Sequence, residues 1–170
     1  MRKALAVAGS AVFLVIAPGF VAGWVPWWIS QWRVGPPFFG IPLLRIGGGL
    51  LVASGIIGVL DSFARFALGG LGTPAPVFPT RHLVVTGLYR YVRNPMYVAV
   101  VMAILGQGLV FGSVALLGYG ALVWLSFHLF VLLYEEPKLR RSFPAEYRLL
   151  CAGVPRWLPR LTRWKGPPEP

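Results

Sequence analysis

From Met96 to Tyr134 the chain runs for 39 residues without a charged side chain. As one helix this run would measure about 60 Å at ~1.5 Å per residue, about twice the hydrocarbon thickness of a bilayer. It must therefore fold back on itself, and Gly112-Ser113 near its middle is the natural turn. Two spans result, about 96–111 and 114–134, forming a tight hairpin. Composition agrees that lipid is the solvent: 56% of residues are hydrophobic, 12% are charged, and mean hydropathy is +0.69. A soluble domain of this length has no surface on which to carry such a composition. The expectation is one all-α, integral membrane domain over residues 1–170.

Two further apolar runs precede the hairpin. The first, about 4–25, ends among Trp24, Trp27, Trp28 and Trp32, the composition of an interfacial aromatic belt. Arg2, Lys3 and the small residues Ala22-Gly23 imitate a secretory signal, but the run is too long for a signal core, so a retained span is expected. The second span is about 41–60, with Arg45 expected to snorkel to headgroups and Asp61 marking the far end. Gly47, Gly48, Gly49, Gly55 and Gly58 make it slim enough for a neighbouring helix to approach closely. From Phe63 to Thr80, Gly69, Gly70, Gly72, Pro74, Pro76 and Pro79 exclude one continuous helix and predict a linker on the membrane surface.

The chain carries 16 basic and 5 acidic residues, net +11. In so apolar a sequence this bias reads as the excess of basic residues on the cytoplasmic side and not as a nucleic-acid surface. Arg65, Arg81, Arg90 and Arg93 follow the second span, the hairpin turn has no basic residue, and eight Lys and Arg residues lie in the tail. Four spans with both termini cytoplasmic satisfy this pattern, with a prokaryotic inner membrane as the expected setting. Beyond the hairpin, Leu139, Phe143, Tyr147 and Leu150 recur on one helical face that Pro144 is expected to break. Such a helix lies on anionic lipid or caps the hairpin. Disorder is expected from about Thr162. A lone Cys151 excludes an internal disulfide and any cysteine metal cluster.

The polar chemistry is concentrated in two places. Residues 81–97 hold three arginines, a histidine, three tyrosines and the Asn94-Pro95 step at the start of a span. Pro95 suits the first helical position and Asn94 the cap before it, so Arg93 and the free N–H groups there would favour a bound carboxylate. The alternative is a well-capped helix beside a phosphate-snorkelling arginine. The second place is Glu135-Glu136, the only acidic pair in the chain, which either salt-bridges to Arg90 or Arg93 or receives a cation or ribose hydroxyls. His128 lies two helical turns before Glu135, either buried and hydrogen-bonded or lining an acceptor cavity. His82 is expected to pack near the site.

The segment Gly87-x-Tyr89-x-x-x-Arg93-Asn94-Pro95-x-Tyr97 resembles a signature of the isoprenylcysteine carboxyl methyltransferase family. The run Glu135-Glu136-x-x-Leu139-x-x-x-Phe143-x-x-x-Tyr147, with Val154-Pro155 and Pro159, is similar to that family's C-terminal pattern. Related membrane phospholipid methyltransferases share this core, and the spellings around Asn94 to Tyr97 and Leu133 to Pro137 look closer to theirs. Two departures stand out: Asn94 replaces the family's histidine, and Val131 replaces an arginine of the members that methylate protein carboxylates.

The resemblance implies an S-adenosylmethionine site at the cytoplasmic interface and a lipid or lipid-linked acceptor. By carry-over, Arg81, His82, Leu83, Val84, Tyr89, Asn94, Pro95, Met96, Tyr97 and Glu135 line the cofactor. Arg93, Glu136 and His128 are the candidates for catalytic roles. The rival readings are a relative of the sterol-type NADPH reductases and a non-enzymatic membrane protein with a basic lipid-binding tail.

Overall fold

The computed structural model describes residues 16–69, 83 and 85–166, so the start of the first span, Arg81, His82 and Val84 lie outside the described residues. Helix α1 covers 16–30 and contains a π-type turn, Phe20–Trp24, ahead of Val25–Ser30. Helix α2 is Leu43–Gly69, α3 Pro95–Phe111 and α4 Val114–Phe130. A second π-type turn, Val131–Glu135, carries α4 without interruption into α5, Glu136–Ser142, and α6 is Pro144–Gly153. No strand occurs among the described residues.

Two stretches are long and apolar enough to cross a membrane, Leu43–Arg65 and Val114–Ser142, each with hydropathy 2.0 over its most apolar window. Only 22% of each window is buried inside the protein, which separates them from the core helices of a soluble fold. Their apolar side chains face outward instead. Helix α3 is equally apolar but has only 17 residues. Two helix ends lie beyond their expected positions. Helix α2 runs past Leu60 and Asp61, and the fourth apolar run continues through Glu135 because the π-type turn absorbs an extra residue without breaking the helix.

The closest helix contact is between α2 and α3. A Cβ on Gly55 would stand 2.6 Å from the Ala99 carbonyl oxygen, and one on Gly106 would stand 2.6 Å from that of Gly48. Glycine is required there because two backbones touch. Gly47 and Gly49, on the other side of α2, meet nothing. Val59, Phe63, Ala99, Val100, Val101, Ile104 and Val123 fill the core that this approach creates.

Helix α1 docks by polar contacts. Pro26 has no N–H to offer the Ala22 carbonyl, and the Gln107 side chain donates to that oxygen at 2.7 Å. The Tyr119 hydroxyl donates to the neighbouring Val21 carbonyl at 2.9 Å. The hairpin turn falls at Gly112, with φ +66°, and Ser113 caps α4 by accepting from the Leu116 N–H at 3.3 Å. Arg45 departs from the snorkelling expectation: its guanidinium donates to the Gly35 carbonyl in the connection between α1 and α2.

At the other end of the molecule, α5 and α6 break at Phe143 before Pro144, as the sequence pattern predicts. Tyr147, Leu150 and Val154 turn inward against Leu83, Val85, Leu139 and Trp164, so this helix caps the segment before α3. Order extends past Thr162, contrary to expectation. The Trp164 N–H donates to the Arg90 carbonyl at 3.1 Å and its indole packs where Gly153 leaves room.

The glycine contacts give a direct test. Gly55→Ala should destabilise the detergent-solubilised protein by about 1–3 kcal/mol through overpacking. Gly47→Ala should be neutral or stabilising by up to ~1 kcal/mol through helix propensity. Thermal denaturation of both variants checks this.

Candidate functional site

The stretch before α3 and the acidic pair meet. Backbone bonds strap residues 90–93 to the C-terminal segment: the Arg93 N–H donates to the Pro155 carbonyl at 2.9 Å and the Arg160 N–H to the Tyr91 carbonyl at 3.0 Å. The Asn94 side chain joins this strap by donating to the Arg156 carbonyl at 3.2 Å. It makes no capping bond to α3. The N–H groups of Met96 and Tyr97 at the start of α3 have no backbone partner among the described residues.

Glu136 lies at the centre, 4% exposed, within reach of three guanidinium groups. Its Oε1 accepts from Arg156 Nε at 2.6 Å and stands 3.3 Å from Arg93 Nη1. Its Oε2 accepts from Arg156 Nη2 at 3.2 Å and from Arg140 Nη2 at 3.4 Å. Arg93 continues the network: Nη1 also donates to the Tyr147 hydroxyl at 3.3 Å and lies 2.6 Å from Cys151 Sγ. Burial is the main cause that pushes the Tyr147 phenol well above the usual tyrosine range, and nearby Glu136 adds to it. Tyr147 is therefore a neutral hydrogen-bonding group here.

Glu135, the neighbouring residue, has a different environment. Its Oε2 accepts from the Tyr97 hydroxyl at 2.9 Å, and among the described residues no cation forms an ion pair with it. The Tyr97 ring rests on Phe127, 4.6 Å between centroids. Tyr89 completes this side from the turn Gly87–Arg90, within hydrogen-bonding reach of buried Ser62 and close enough to feel the charge of Glu135. Burial pushes its phenol up as well, so it too remains protonated.

His128 is not on the Glu135 face. The extra residue in the turn Val131–Glu135 rotates the helix beyond it by on the order of 100° relative to an unbroken one. His128 Nδ1 accepts from the Trp157 indole N–H at 3.0 Å, and its ring stacks on Trp124 at 5.2 Å. That bond ties His128 to the C-terminal segment. Glu136 and Arg93, the other two candidates for catalytic roles, are engaged with each other in the arginine cluster. The Arg156-Trp157 pair engages two of these candidates, Glu136 through Arg156 and His128 through Trp157. Its signal lay between Pro155 and Pro159, where the prolines mark a fixed path beneath the two side chains.

The comparisons with known proteins bear on this geometry. A family model described as phospholipid methyltransferase matches residues 43–146, more than half of the chain. The chain belongs to the phospholipid methyltransferase family. This family lies within the superfamily of membrane methyltransferases that also holds the isoprenylcysteine carboxyl methyltransferases, as the motifs around Asn94 and Glu135 indicate. No curated protein and no solved structure matches the chain. The matched region contains α2, the stretch before α3, the hairpin and the acidic pair; Arg156 and Trp157 lie beyond it.

The two carboxylates predict opposite responses to the same substitution. Glu136→Gln removes the counter-charge of Arg93, 11% exposed, and of the more exposed Arg156 and Arg140, and should cost about 2–3 kcal/mol of stability. Glu135→Gln keeps the bond to Tyr97 and should leave stability within about 1 kcal/mol of the parent. Thermal melts of the two variants in one detergent decide this.

Proposed function

We propose that this phospholipid methyltransferase family member uses S-adenosylmethionine to methylate a lipid or lipid-linked acceptor at the cytoplasmic membrane interface. The proposed topology has four spans with both termini cytoplasmic, in keeping with the distribution of lysine and arginine. The observation that carries the reading is Glu135: a partly buried carboxylate, oriented by one tyrosine, without the arginines that surround its neighbour. A carboxylate so placed is costly unless a cationic ligand completes it. Tyr97 stands beside it, and Tyr89 is within range of its charge, so two aromatic rings that can favour a cation belong to this side.

When bound, the cofactor supplies an electrophilic methyl group on a sulfonium, transferred by in-line displacement. Glu135 accepts hydrogen bonds from its ammonium or ribose, and Asn94, Pro95, Met96 and Tyr97 line it from the start of α3. The open N–H groups of Met96 and Tyr97 suit its carboxylate, a role for which Arg93 is no longer free. Leu83 belongs to the adjoining apolar wall, and Arg81, His82 and Val84 are assigned to the site by the family resemblance alone. Arg93 and Glu136 position these elements without exchanging protons.

The acceptor favoured is an amine over a carboxylate. Val131, at the position where the resemblance leads one to look for an arginine, is 1% exposed and packed in the core. No cation is thereby provided for a free carboxylate from that position.

The test uses purified protein, cofactor labelled on its methyl group and a total lipid extract. Base-stable label on an amine headgroup is the expected result. Label released as methanol by mild base would mean a carboxyl acceptor, and failure to bind S-adenosylhomocysteine would overturn the reading. Glu135→Gln should weaken S-adenosylhomocysteine binding by about 10–100-fold, the loss expected for a charge-assisted hydrogen bond of ~1.5–3 kcal/mol.

A further inference from the structure

We propose that the Asp61–Arg65 pair at the end of α2 is a positioning element for the cofactor site, acting through Gly87 and Tyr89. The inference rests on the methyltransferase reading. It concerns residues outside both motifs, one turn apart on a helix whose other polar features are packing devices.

Arg65 grips Asp61 with a fork: Nε donates to Oδ2 and Nη2 to Oδ1, each at 2.7 Å. An exposed pair at this spacing contributes little to stability by itself. What distinguishes this one is the use made of its free face. Two parallel bonds fix the guanidinium plane, and that plane is pressed against Gly87. A Cβ on Gly87 would overlap Arg65 Cζ, Nε and Nη2. Gly87 also has φ +54°, which other residues adopt only with strain. Only glycine meets both demands.

Gly87 opens the short turn Gly87–Arg90, and that turn delivers Tyr89. The phenol comes within hydrogen-bonding reach of Ser62, the residue after Asp61 and fully buried on α2. Asp61, Arg65 and Glu135 all lie close enough to act electrostatically on this phenol. The path runs through contacts: Asp61 orients Arg65, Arg65 supports Gly87, and the turn that Gly87 opens carries Tyr89. A lysine at position 65 would keep the charge but lacks the planar fork, so it would not support the turn.

The experiment measures S-adenosylhomocysteine affinity and thermal midpoint together, on full-length protein in one detergent. Arg65→Lys should weaken binding about ten-fold while the midpoint stays near the parent value, because a small displacement at a site is costly even where folding is intact. Gly87→Ala should weaken binding similarly, and the double variant should lose no more than either single one, because both act at one contact. The exchange variant Asp61→Arg/Arg65→Asp separates support from simple pairing. It restores an ion pair but no guanidinium plane under Gly87, and its affinity should remain low. Parental affinity in Arg65→Lys, or in the exchange variant, overturns the inference. If Gly87→Ala fails to fold, Arg65→Lys and the exchange variant still decide. A parent protein that binds no S-adenosylhomocysteine overturns the methyltransferase reading and the inference with it.

Discussion

The arrangement depends on one buried carboxylate. Glu136 collects Arg93 from the segment before α3, Arg140 from its own helix and Arg156 from the C-terminal segment. Taken singly, none of these partners could remain near lipid without a large desolvation cost. Together they satisfy one another, and they join three regions far apart in sequence. Residues 90–94 and 155–164 have no regular secondary structure to share, so their few backbone bonds hold register only while this charge cluster draws them together. The cluster is thereby more than local: it ties the C-terminal segment to the stretch before α3.

The π-type turn Val131–Glu135 explains how adjacent glutamates come to such different fates. Pro137 removes a helical donor just beyond it, and the extra residue of the wider turn lets the helix continue. The same rotation directs Glu136 to the arginines, leaves Glu135 to Tyr97 and sends His128 to Trp157. Helix α1 uses the same device near Pro26, where the carbonyls of Val21 and Ala22 are taken up by Tyr119 and Gln107. In both places a proline at the border of a π-type turn makes a polar contact possible inside an apolar helix.

Much of this was legible in the residues. The uncharged run forced a hairpin at Gly112, and the four- and three-residue spacing from Leu139 to Leu150 marked a helix face with a break at Pro144. The glycines of α2 pointed to close packing, although only position-by-position geometry separates Gly48 and Gly55, which touch α3, from Gly47 and Gly49, which do not. The meeting of Arg93 and Tyr97 with the acidic pair is what the expectation of one membrane side for both segments requires. The roles within that meeting did not follow. Sequence spacing assumes 3.6 residues per turn, so it placed His128 over Glu135 and had no means of seeing a wider turn between them. Nor does a basic tail reveal which of its arginines is recruited inward: Arg156 resembles Arg160 or Arg163 until the path between Pro155 and Pro159 is known. The ordering of Trp164 was hidden for the same reason, since its contact with Gly153 closes a loop that no periodicity records.

The division between the two carboxylates also bears on what a ligand meets. Glu136 with three guanidinium groups makes a patch with surplus positive charge, whereas Glu135 accepts from the Tyr97 phenol and has no ion pair among the described residues. Opposite fields this close discriminate by orientation: a ligand carrying both signs fits one way round and is opposed the other way. Within the methyltransferase reading this is a reason to keep Glu136 saturated. Were its arginines free, they would compete for Glu135 itself and close the site with a salt bridge. Holding them on a neighbouring carboxylate keeps Glu135 available, so the cluster protects the site by occupying the groups that would otherwise fill it.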